Sequence, residues 1–247
     1  MMSAQLNLPK SSIHRIVKID LGLYPYKLQI KQSLTDYDCA RRLEFAHWML
    51  GRLERTPALL DLIWFSDESH FHLDGHVNSQ NCRYWGKESP TEVVARPLHS
   101  KKVPVWCALS SQGIIGPFFF EEDDTTVTVN GKRYRSMLET FFVPELKRLA
   151  GNELSRQWFQ QDGATAHTAN NTLTFIRSEF ANRIISLRTD NVWPPYSPDL
   201  NPSDFYLWGY LKDCVYKDPK PTDLVQLKAN ISTHVRRISM EILQKIT

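Results

Sequence analysis

The residues that decide the fold form an alternating stretch, Leu62-Ile63-Trp64-Phe65-Ser66-Asp67-Glu68-Ser69-His70-Phe71-His72-Leu73. Strict alternation over this length, with aromatic and branched residues, predicts a half-buried β-strand. The Asp74-Gly75 dipeptide that follows is typical of a hairpin turn. Asp67 shares one side of the strand with Phe65 and Phe71, where an acid costs free energy unless it is paired or binds a metal. Asp67 is therefore the first candidate for a functional residue.

The other side of this strand carries Glu68, His70 and His72. Two histidines at alternate positions could form a metal-binding pair. Polar residues that alternate on an exposed strand face are more often simply solvated, so the metal pair is the less favoured interpretation.

Apolar runs and helical patterns alternate along the rest of the chain. Further strands are predicted at Val103–Ser110, Ile114–Phe120, Trp158–Gln161 and Ile184-Ile185, and helices at about 36–55, 133–149, 168–180, 202–217 and 222–238. Thr35 and Asp38 stand as the N-cap and the N3 acid of the helix at 36–55. The acidic run 121–124 is predicted to be a solvated loop. This order indicates an α/β fold with a mixed five-stranded sheet flanked by helices.

The composition is that of a folded protein. The 247 residues are 42% hydrophobic and 11% aromatic, values that exclude a disordered chain. No apolar run predicts a membrane span, and the N-terminus lacks the basic and apolar segments of a secretory signal. Cys39, Cys82, Cys107 and Cys214 form no C-x-x-C pair. Neither a zinc site nor a disulfide framework is therefore indicated, and a reducing, intracellular environment is expected.

Charge is unevenly distributed along the chain. The net charge is +3, but residues 1–56 hold nine Lys and Arg against five Asp and Glu, whereas the remainder holds 21 against 22. A basic N-terminal part on a nearly neutral body is what a nucleic-acid-binding arm attached to an enzyme would show.

The basic part contains a short helix, predicted over residues 9–20. Ile13, Ile16 and Val17 form its apolar face. Its candidate DNA contacts are the polar side chains of Lys10, Ser11, His14, Arg15 and Lys18. Such a polar face could enter a DNA major groove, although the pattern alone favours a solvated amphipathic helix.

Two further acids, Asp162 and Asp204, are candidate functional residues because of their positions at a strand end and a helix start. Asp162 ends the strand at Trp158–Gln161, and ligands of open α/β sheets bind at the carboxyl ends of strands. Asp162-Gly163 is equally a common turn sequence. Asp204 would be the N3 acid of a helix capped by Asn201, a position from which it can still reach a strand end. Asp199 competes with Asp204 but resembles a loop or cap residue.

Three carboxylates from a central strand, a strand end and a helix start are what a two-metal phosphoryl-transfer site requires. Two divalent cations roughly 3.5–4 Å apart activate the attacking oxygen and stabilise the leaving one. Carboxylate oxygens suit Mg²⁺ or Mn²⁺. The sequence therefore supports the hypothesis that Asp67, Asp162 and Asp204 converge on such a site.

Four motifs together resemble the catalytic core of mariner-like transposases. They are FSDES at 65–69, VNSQNCRYW at 77–85, QDGATAHT at 161–168 and PPYSPDLNPSD at 194–204. They follow one another in the order of that family. Each motif alone is weak, whereas the combination is highly specific.

The resemblance implies an RNase H-like fold in which Asp67, Asp162 and Asp204 form a metal-binding triad for Mg²⁺ or Mn²⁺. It implies cut-and-paste chemistry, in which double-stranded DNA is cleaved at terminal inverted repeats and the freed 3′-hydroxyl attacks a TA target. His167 could then contact DNA or water near the metals, or be an ordinary loop histidine. Family members act as dimers, so a homodimer is one expected assembly, with a nuclear location and no membrane association.

The resemblance also implies a domain organisation. Residues 1–25 are expected to be the remnant of a second helix-turn-helix module, with 9–20 as its recognition helix. Residues 26–57 form a helical linker that begins near the connector at 24–27, and residues 58–247 form the RNase H-like catalytic domain. Most of the family's DNA-binding region is absent, which predicts a truncated copy. Asp162 and Asp204 are separated by 41 residues, with extra length expected around 188–193.

Two alternatives remain open. A catalytically inactive, transposon-derived DNA-binding protein would keep the motifs without the chemistry. A nuclease that acts on RNA–DNA hybrids would share the fold, but the motifs at 161–168 and 194–204 favour the transposase branch.

Overall fold

The computed structural model describes residues 9–21, 33–75, 101–217 and 219–247. The connector at 24–27, the motif at 77–85, the predicted boundary between residues 25 and 26 and the side chain of Lys10 lie outside the described residues. The described residues belong to two compact units. The smaller contains residues 9–21 and 33, and the larger contains 34–75, 101–217 and 219–247.

The smaller unit holds the predicted N-terminal helix. Helix α1 (Lys10–Arg15) continues as a π-helical turn, Ile16–Asp20. Pro9 stands at the N-cap, and its carbonyl accepts a hydrogen bond from the Ile13 amide at 3.1 Å. The helix is therefore confirmed, although its second half is wound more loosely than an α-helix.

Helix α2 (Asp36–Arg55) opens the larger unit with the predicted boundaries and cap. The Thr35 hydroxyl accepts from the Asp38 amide at 3.2 Å, and the Asp38 carboxylate accepts from the Thr35 amide at 2.9 Å. Such reciprocal capping fixes where a helix begins. Phe45 packs from this helix against the ring of Trp193 at a centroid distance of 5.4 Å.

The strands of the larger unit, as far as the structure describes it, are β1 (Ile63–His72), β2 (Lys102–Ser110), β3 (Gly113–Phe119), β4 (Glu121–Glu122), β5 (Thr125–Thr126), β6 (Trp158–Gln160) and β7 (Ile184–Ile185). Five of them form a mixed sheet in the order β3-β2-β1-β6-β7, which confirms the predicted sheet, and β4 and β5 form a separate ribbon. Strands β1, β2 and β3 pair antiparallel, whereas β6 and β7 run parallel to β1.

Side chains of the sheet alternate between two helical layers, as a period of two requires. Trp64 and Trp106 are fully buried in one layer, and Phe71 and Val105 are fully buried in the other. The first layer consists of α3 (Gly131–Met137), a π-helical turn (Leu138–Phe142), α4 (Val143–Ala150) and α5 (Asn170–Phe180). The second consists of α6 (Trp208–Val215), α7 (Leu224–Arg236) and α8 (Met240–Ile246).

The structure corrects the predicted helices in two places. The helices expected at 133–149 and 202–217 are each composite, because a π-helical turn joins α3 to α4 and another, Ser203–Leu207, precedes α6. Helix α8 was not predicted as a separate element; the Ser239 hydroxyl caps it by accepting from the Ile242 amide at 3.4 Å. Among the described residues, no helix has the length and apolar character to cross a bilayer.

Two predicted turns also differ from the structure. Asp74-Gly75 does not close a tight hairpin, because His72 pairs with Lys102 at the start of β2. The run 121–124 is not a plain loop but the ribbon of β4 and β5, turned by Asp123 and Asp124 with positive φ values of 48° and 57°. Aspartate tolerates this left-handed conformation better than most residues, which allows the tight turn.

Candidate active site

Strand register brings the first two candidate acids to one level of the sheet. Strand β6 runs parallel to β1, with Gln160 beside Phe65. Asp162 and Asp67 each lie two residues beyond these partners. Since adjacent strands are about 4.8 Å apart, both acids stand close together past the carboxyl end of β6.

Asp67 is held by an indole. The Trp208 Nε1–H of α6 donates to its Oδ2 at 2.7 Å, while the Trp208 ring packs edge-on against Phe71. Burial, together with the neighbouring charges of Asp204 and Glu68, raises the pKa of Asp67 well above its ordinary range. An acid on this apolar face is therefore partly compensated by one indole hydrogen bond.

Asp204 meets Asp67 from the helical side. It lies exposed on the turn Ser203–Leu207, and its carboxyl group hydrogen-bonds that of Asp67. Burial of the carboxyl and the charge of Asp162 raise the pKa of Asp204 to about 6, against the opposing effects of the Asp67 hydrogen bond and Lys212. Because the two carboxyl groups interact, the protonation of one affects that of the other.

The predicted capping box at this helix start is only half formed. The Asn201 side chain caps the Ser203 amide at 3.0 Å, and the Asn201 carbonyl accepts from the Asp204 amide at 3.0 Å. Asp204 turns its carboxyl toward Asp67 rather than back to Asn201. The Asn201 amide group also donates to the carbonyl of Ser66 at 3.4 Å, which ties the turn to β1 beside Asp67.

Asp162 is held by a buried histidine. Its Oδ1 accepts from the Ala164 amide at 2.9 Å and lies 2.6 Å from Nδ1 of His167. The other ring nitrogen, Nε2, lies 3.1 Å from Oε1 of Glu68. The His167 side chain is only 1% exposed, and its ring lies 4.2 Å from that of Tyr134.

His167 carries a positive charge between these two carboxylates. Burial opposes that charge, but Glu68 and Asp162 outweigh it and raise the pKa of His167 to about 10. Burial acts to raise the pKa of Asp162, but its hydrogen bond with His167 outweighs burial and lowers that pKa. Sequence reasoning left His167 open and missed Glu68, since only the fold brings residues 99 positions apart into contact.

The structure thus brings together all three sequence-predicted acids, but not as ready-made ligands. Asp67 and Asp204 touch, while Asp162 acts on Asp204 through its charge and bonds His167. Across the described ranges, no group of three or more His, Cys, Asp and Glu side chains is arranged to hold a metal ion. A metal site at His70 and His72 is therefore not supported. A metal site at the triad depends on the Asp162 side chain, whose contacts with Ala164 and His167 both use Oδ1.

A positive charge also stands beside the acids. Lys212 of α6 is half-buried, and its Nζ lies 5.7 Å from the centre of the Phe71 ring. Burial lowers the pKa of Lys212, while the charges of Asp67 and Asp204 act in the opposite direction. The site can therefore attract both a cation, at the carboxylates, and an anionic phosphate, at Lys212.

The competing acid, Asp199, is occupied elsewhere. Arg42 of α2 donates to both of its carboxylate oxygens. That hydrogen bonding lowers the pKa of Asp199. Of the residues proposed to contact DNA, Ser11, His14, Arg15 and Lys18 are exposed on α1 and its continuation in the smaller unit.

A family model described as DDE superfamily endonuclease matches residues 62–228. This segment exceeds half of the chain and contains all three acids, His167 and Lys212. The chain belongs to this family.

Curated relatives of this endonuclease chain are transposon proteins or carry a similar segment. It is 28% identical over 219 residues to the "Transposable element Tc3 transposase" of Caenorhabditis elegans, covering 87% of this chain and 59% of that protein. It is 25% identical over 216 residues to the human "Histone-lysine N-methyltransferase SETMAR", covering 86% and 29% respectively. The chain therefore spans about three fifths of the first relative and less than a third of the second.

Solved structures show the fold of the endonuclease domain. A Mos1 transposase paired-end complex with its left transposon end matches with a TM-score of 0.69 at 20% identity, covering 99% of this chain and 68% of that chain. The Mos1 transposase catalytic domain, solved with Raltegravir and Mg, matches with a TM-score of 0.65 at 20% identity, covering 87% and 90%. The RNase H-like fold of a mariner-like transposase catalytic domain is thereby confirmed. Arg42 lies outside the segment matched by the DDE endonuclease family.

Proposed function

We propose that this DDE endonuclease domain is the catalytic part of a cut-and-paste DNA transposase. The observation that carries the proposal is the approach of three acids to one another: Asp67 within β1, Asp162 just past the carboxyl end of β6, and Asp204 on the turn Ser203–Leu207. Asp204 is exposed and the Asp162 side chain is 45% exposed, so the cluster is open to a polymer as large as DNA. The likeness to the Tc3 transposase supports the same conclusion.

The three acids fit a divalent cation, Mg²⁺ or Mn²⁺. Their oxygens are the hard ligands that such ions prefer. Burial, together with neighbouring negative charge, raises the pKa values of Asp67 and Asp204, and a divalent cation would favour the ionised form of both. When bound, the metal supplies activation of the attacking oxygen and neutralisation of the leaving one.

The residues of this chain would orient and balance that chemistry. Asp67, Asp162 and Asp204 would hold the metal, and His167 with Glu68 would fix the Asp162 carboxylate through Oδ1, so that Oδ2 could serve for coordination. Lys212 contacts a DNA phosphate beside the acids. Water attacks the scissile phosphate and the P–O3′ bond breaks, leaving a 3′-hydroxyl and a 5′-phosphate. The 3′-hydroxyl then attacks a target phosphate and displaces its 3′-oxygen.

The partners belong to the same proposal. Double-stranded DNA with terminal inverted repeats and a TA target is the substrate. Helix α1 and its π-helical continuation contribute phosphate or base contacts through Ser11, His14, Arg15 and Lys18. A homodimer would bring two DNA ends together, as paired ends require. A nuclear location belongs to the proposal, because the proposed substrate is chromosomal DNA.

Strand cleavage by purified protein tests this function. Mn²⁺ or Mg²⁺ should support nicking of supercoiled DNA, and Asp67→Ala, Asp162→Ala or Asp204→Ala should each reduce the rate at least about 10³-fold, since each removes a metal ligand. Asp213→Ala is the matched control, because Asp213 lies on α6 and pairs with the exposed Lys217. Equal activity of wild type and the three variants would contradict the assignment.

A non-catalytic DNA-binding protein is the second candidate, supported by the exposed polar side chains of α1. It predicts salt-sensitive DNA binding without metal-dependent cleavage. Substitution of Arg15 and Lys18 together should then weaken binding, while Asp204→Ala should not. Cleavage that requires Asp204 would exclude this candidate, and cleavage restricted to RNA–DNA hybrids would favour a hybrid nuclease instead.

A further inference from the structure

Arg42 joins helix α2 to the loop that leads to Asp204. Its guanidinium donates to both carboxylate oxygens of Asp199, with the Nη1–Oδ1 distance at 2.9 Å. Nη1 also donates to the Ser197 hydroxyl at 2.7 Å and to the Tyr196 carbonyl at 3.1 Å. The Arg42 side chain thus contacts three residues of a loop that lies more than 150 residues further along the chain.

The loop held by Arg42 is connected to Asp204 by hydrogen bonds. The Leu200 amide donates to the Ser197 carbonyl at 3.1 Å, which closes the turn that contains Asp199. Asn201 follows, bonded to the carbonyl of Ser66 and to the amide of Asp204. Displacement of the loop would therefore move Asp204 relative to the strand that carries Asp67.

The backbone of this loop needs an external support. Tyr196 has a φ of +49°, a left-handed conformation that residues with bulky side chains rarely adopt. Such a conformation persists only where surrounding contacts hold it in place. The hydrogen bond from Arg42 to the Tyr196 carbonyl is one of these contacts.

The pair contributes more to geometry than to stability. The side chains of Arg42 and Asp199 are 22% and 57% exposed, and ion pairs at such exposure stabilise a fold only weakly. A planar guanidinium can hold a carboxylate by two parallel hydrogen bonds, which a lysine ammonium cannot. The neighbouring Arg41 pairs with Glu44 on the same helix, a local contact that fixes no other element.

We propose that Arg42 is a positioning residue that sets Asp204 against Asp67 through the loop 196–201. The inference rests on the proposed metal-dependent nuclease function. Helix α2, the loop and the acids all lie in the larger unit. The third acid is thus placed by an element outside the segment matched by the family model.

The test compares Arg42→Ala, Arg42→Lys, Asp199→Asn and Arg41→Ala with wild type in the full chain. Mn²⁺ affinity is measured by electron paramagnetic resonance, Mn²⁺ dependence by the rate of plasmid nicking, and stability by thermal unfolding. Arg42→Ala and Asp199→Asn should weaken Mn²⁺ binding and raise the Mn²⁺ concentration for half-maximal nicking about tenfold. Arg42→Lys should recover only part of this loss. Arg41→Ala should match wild type in Mn²⁺ affinity, in the Mn²⁺ dependence of nicking and in melting temperature.

Reversal of the pair provides a second check. Arg42→Asp combined with Asp199→Arg should bind Mn²⁺ more tightly than Arg42→Asp alone, because the two charges again attract. Wild-type Mn²⁺ affinity in Arg42→Ala would overturn the proposal. If Arg42→Ala fails to fold, the comparison of Asp199→Asn with Arg41→Ala decides. If wild type binds Mn²⁺ without cleaving DNA and Arg42→Ala weakens that binding, the nuclease function fails while the positioning role stands.

Discussion

Asp162 and the Asp67–Asp204 pair lie at the same end of the sheet, yet their charges are balanced in opposite ways. Asp162 faces a buried, charged imidazole, which lowers its pKa. Burial raises the pKa values of both Asp67 and Asp204; the charge of Asp204 adds to the rise at Asp67, and the charge of Asp162 adds to the rise at Asp204. The negative charge of Asp162 is therefore already compensated by the protein, whereas the Asp67–Asp204 pair requires a proton or a metal.

Removal of His167 should give the largest effect on stability. His167→Ala leaves Glu68 and Asp162 without their shared cation, and breaking a buried ion set costs about 3–5 kcal/mol. We expect a loss of roughly 2–4 kcal/mol in the free energy of unfolding, because the Asp162 side chain is 45% exposed. Urea denaturation measures it, with the exposed His47→Ala as control. A loss equal to that of the control would show that His167 does not compensate the charges of Glu68 and Asp162.

Trp208→Phe should affect the Asp67–Asp204 pair but not Asp162. The change keeps an aromatic ring against Phe71 but removes the hydrogen bond to Asp67, which costs about 1–2 kcal/mol in unfolding free energy. The pKa of Asp67 should rise further, while that of Asp162 should not move. Carbon-detected NMR titration of the carboxyl groups measures both, and a shift of Asp162 as large as that of Asp67 would show that the two sides are not independent.

The two sides should respond to pH in different windows. A group whose folded pKa is raised contributes stability that is lost as the pH rises through that value. For Asp204 the loss falls between its ordinary value of 3.8 and about 6, and for His167 between 6.5 and about 10. Relative to Asp204→Asn, wild-type unfolding free energy should fall by about 1 kcal/mol as the pH rises from 4 to 7, since the exposure of Asp204 screens its interactions.

The matched measurement uses His167→Gln, relative to which the stability of wild type should fall from pH 6.5 to 10. Urea unfolding at closely spaced pH values gives both curves. Identical windows for the two variants would contradict the separation of the site into two sides.

Lys212→Gln should give the smallest effect. Loss of one phosphate contact reduces the salt dependence of DNA binding by about one unit of slope in a plot of log affinity against log salt. Lys217→Gln serves as control, because Lys217 is exposed, follows α6 in the chain and pairs with Asp213. Equal slopes for wild type and Lys212→Gln would show that Lys212 does not contact DNA.

Local patterns predicted the scaffold of the site well. The alternation at 62–73 and the cap formed by Thr35 and Asp38 depend on neighbouring residues, and both elements form with nearly the predicted boundaries. Five strands in a mixed sheet followed from the same patterns. The turn at Asp123-Asp124 was missed because its short ribbon depends on contacts such as that of Glu121 with Lys228.

The contacts around the acids could not be predicted from spacing. Glu68 and His167 meet across 99 residues, and Arg42 and Asp199 across 157, so only the assembled fold shows them. The choice between Asp199 and Asp204 was open for the same reason. The triad was proposed from the positions of the three acids and supported by the resemblance, and the structure adds the position and the contacts of each acid.

We propose that Asp67, Asp162 and Asp204 act together on one metal site, although Asp162 is bonded to His167. Mn²⁺ titration by electron paramagnetic resonance, with wild type, Asp67→Asn, Asp162→Asn, Asp204→Asn and the control Asp213→Asn, tests this most directly. We expect each of the first three substitutions to weaken Mn²⁺ binding at least about tenfold, which corresponds to about 1.4 kcal/mol, and the control to match wild type. Wild-type affinity in Asp162→Asn would contradict the claim.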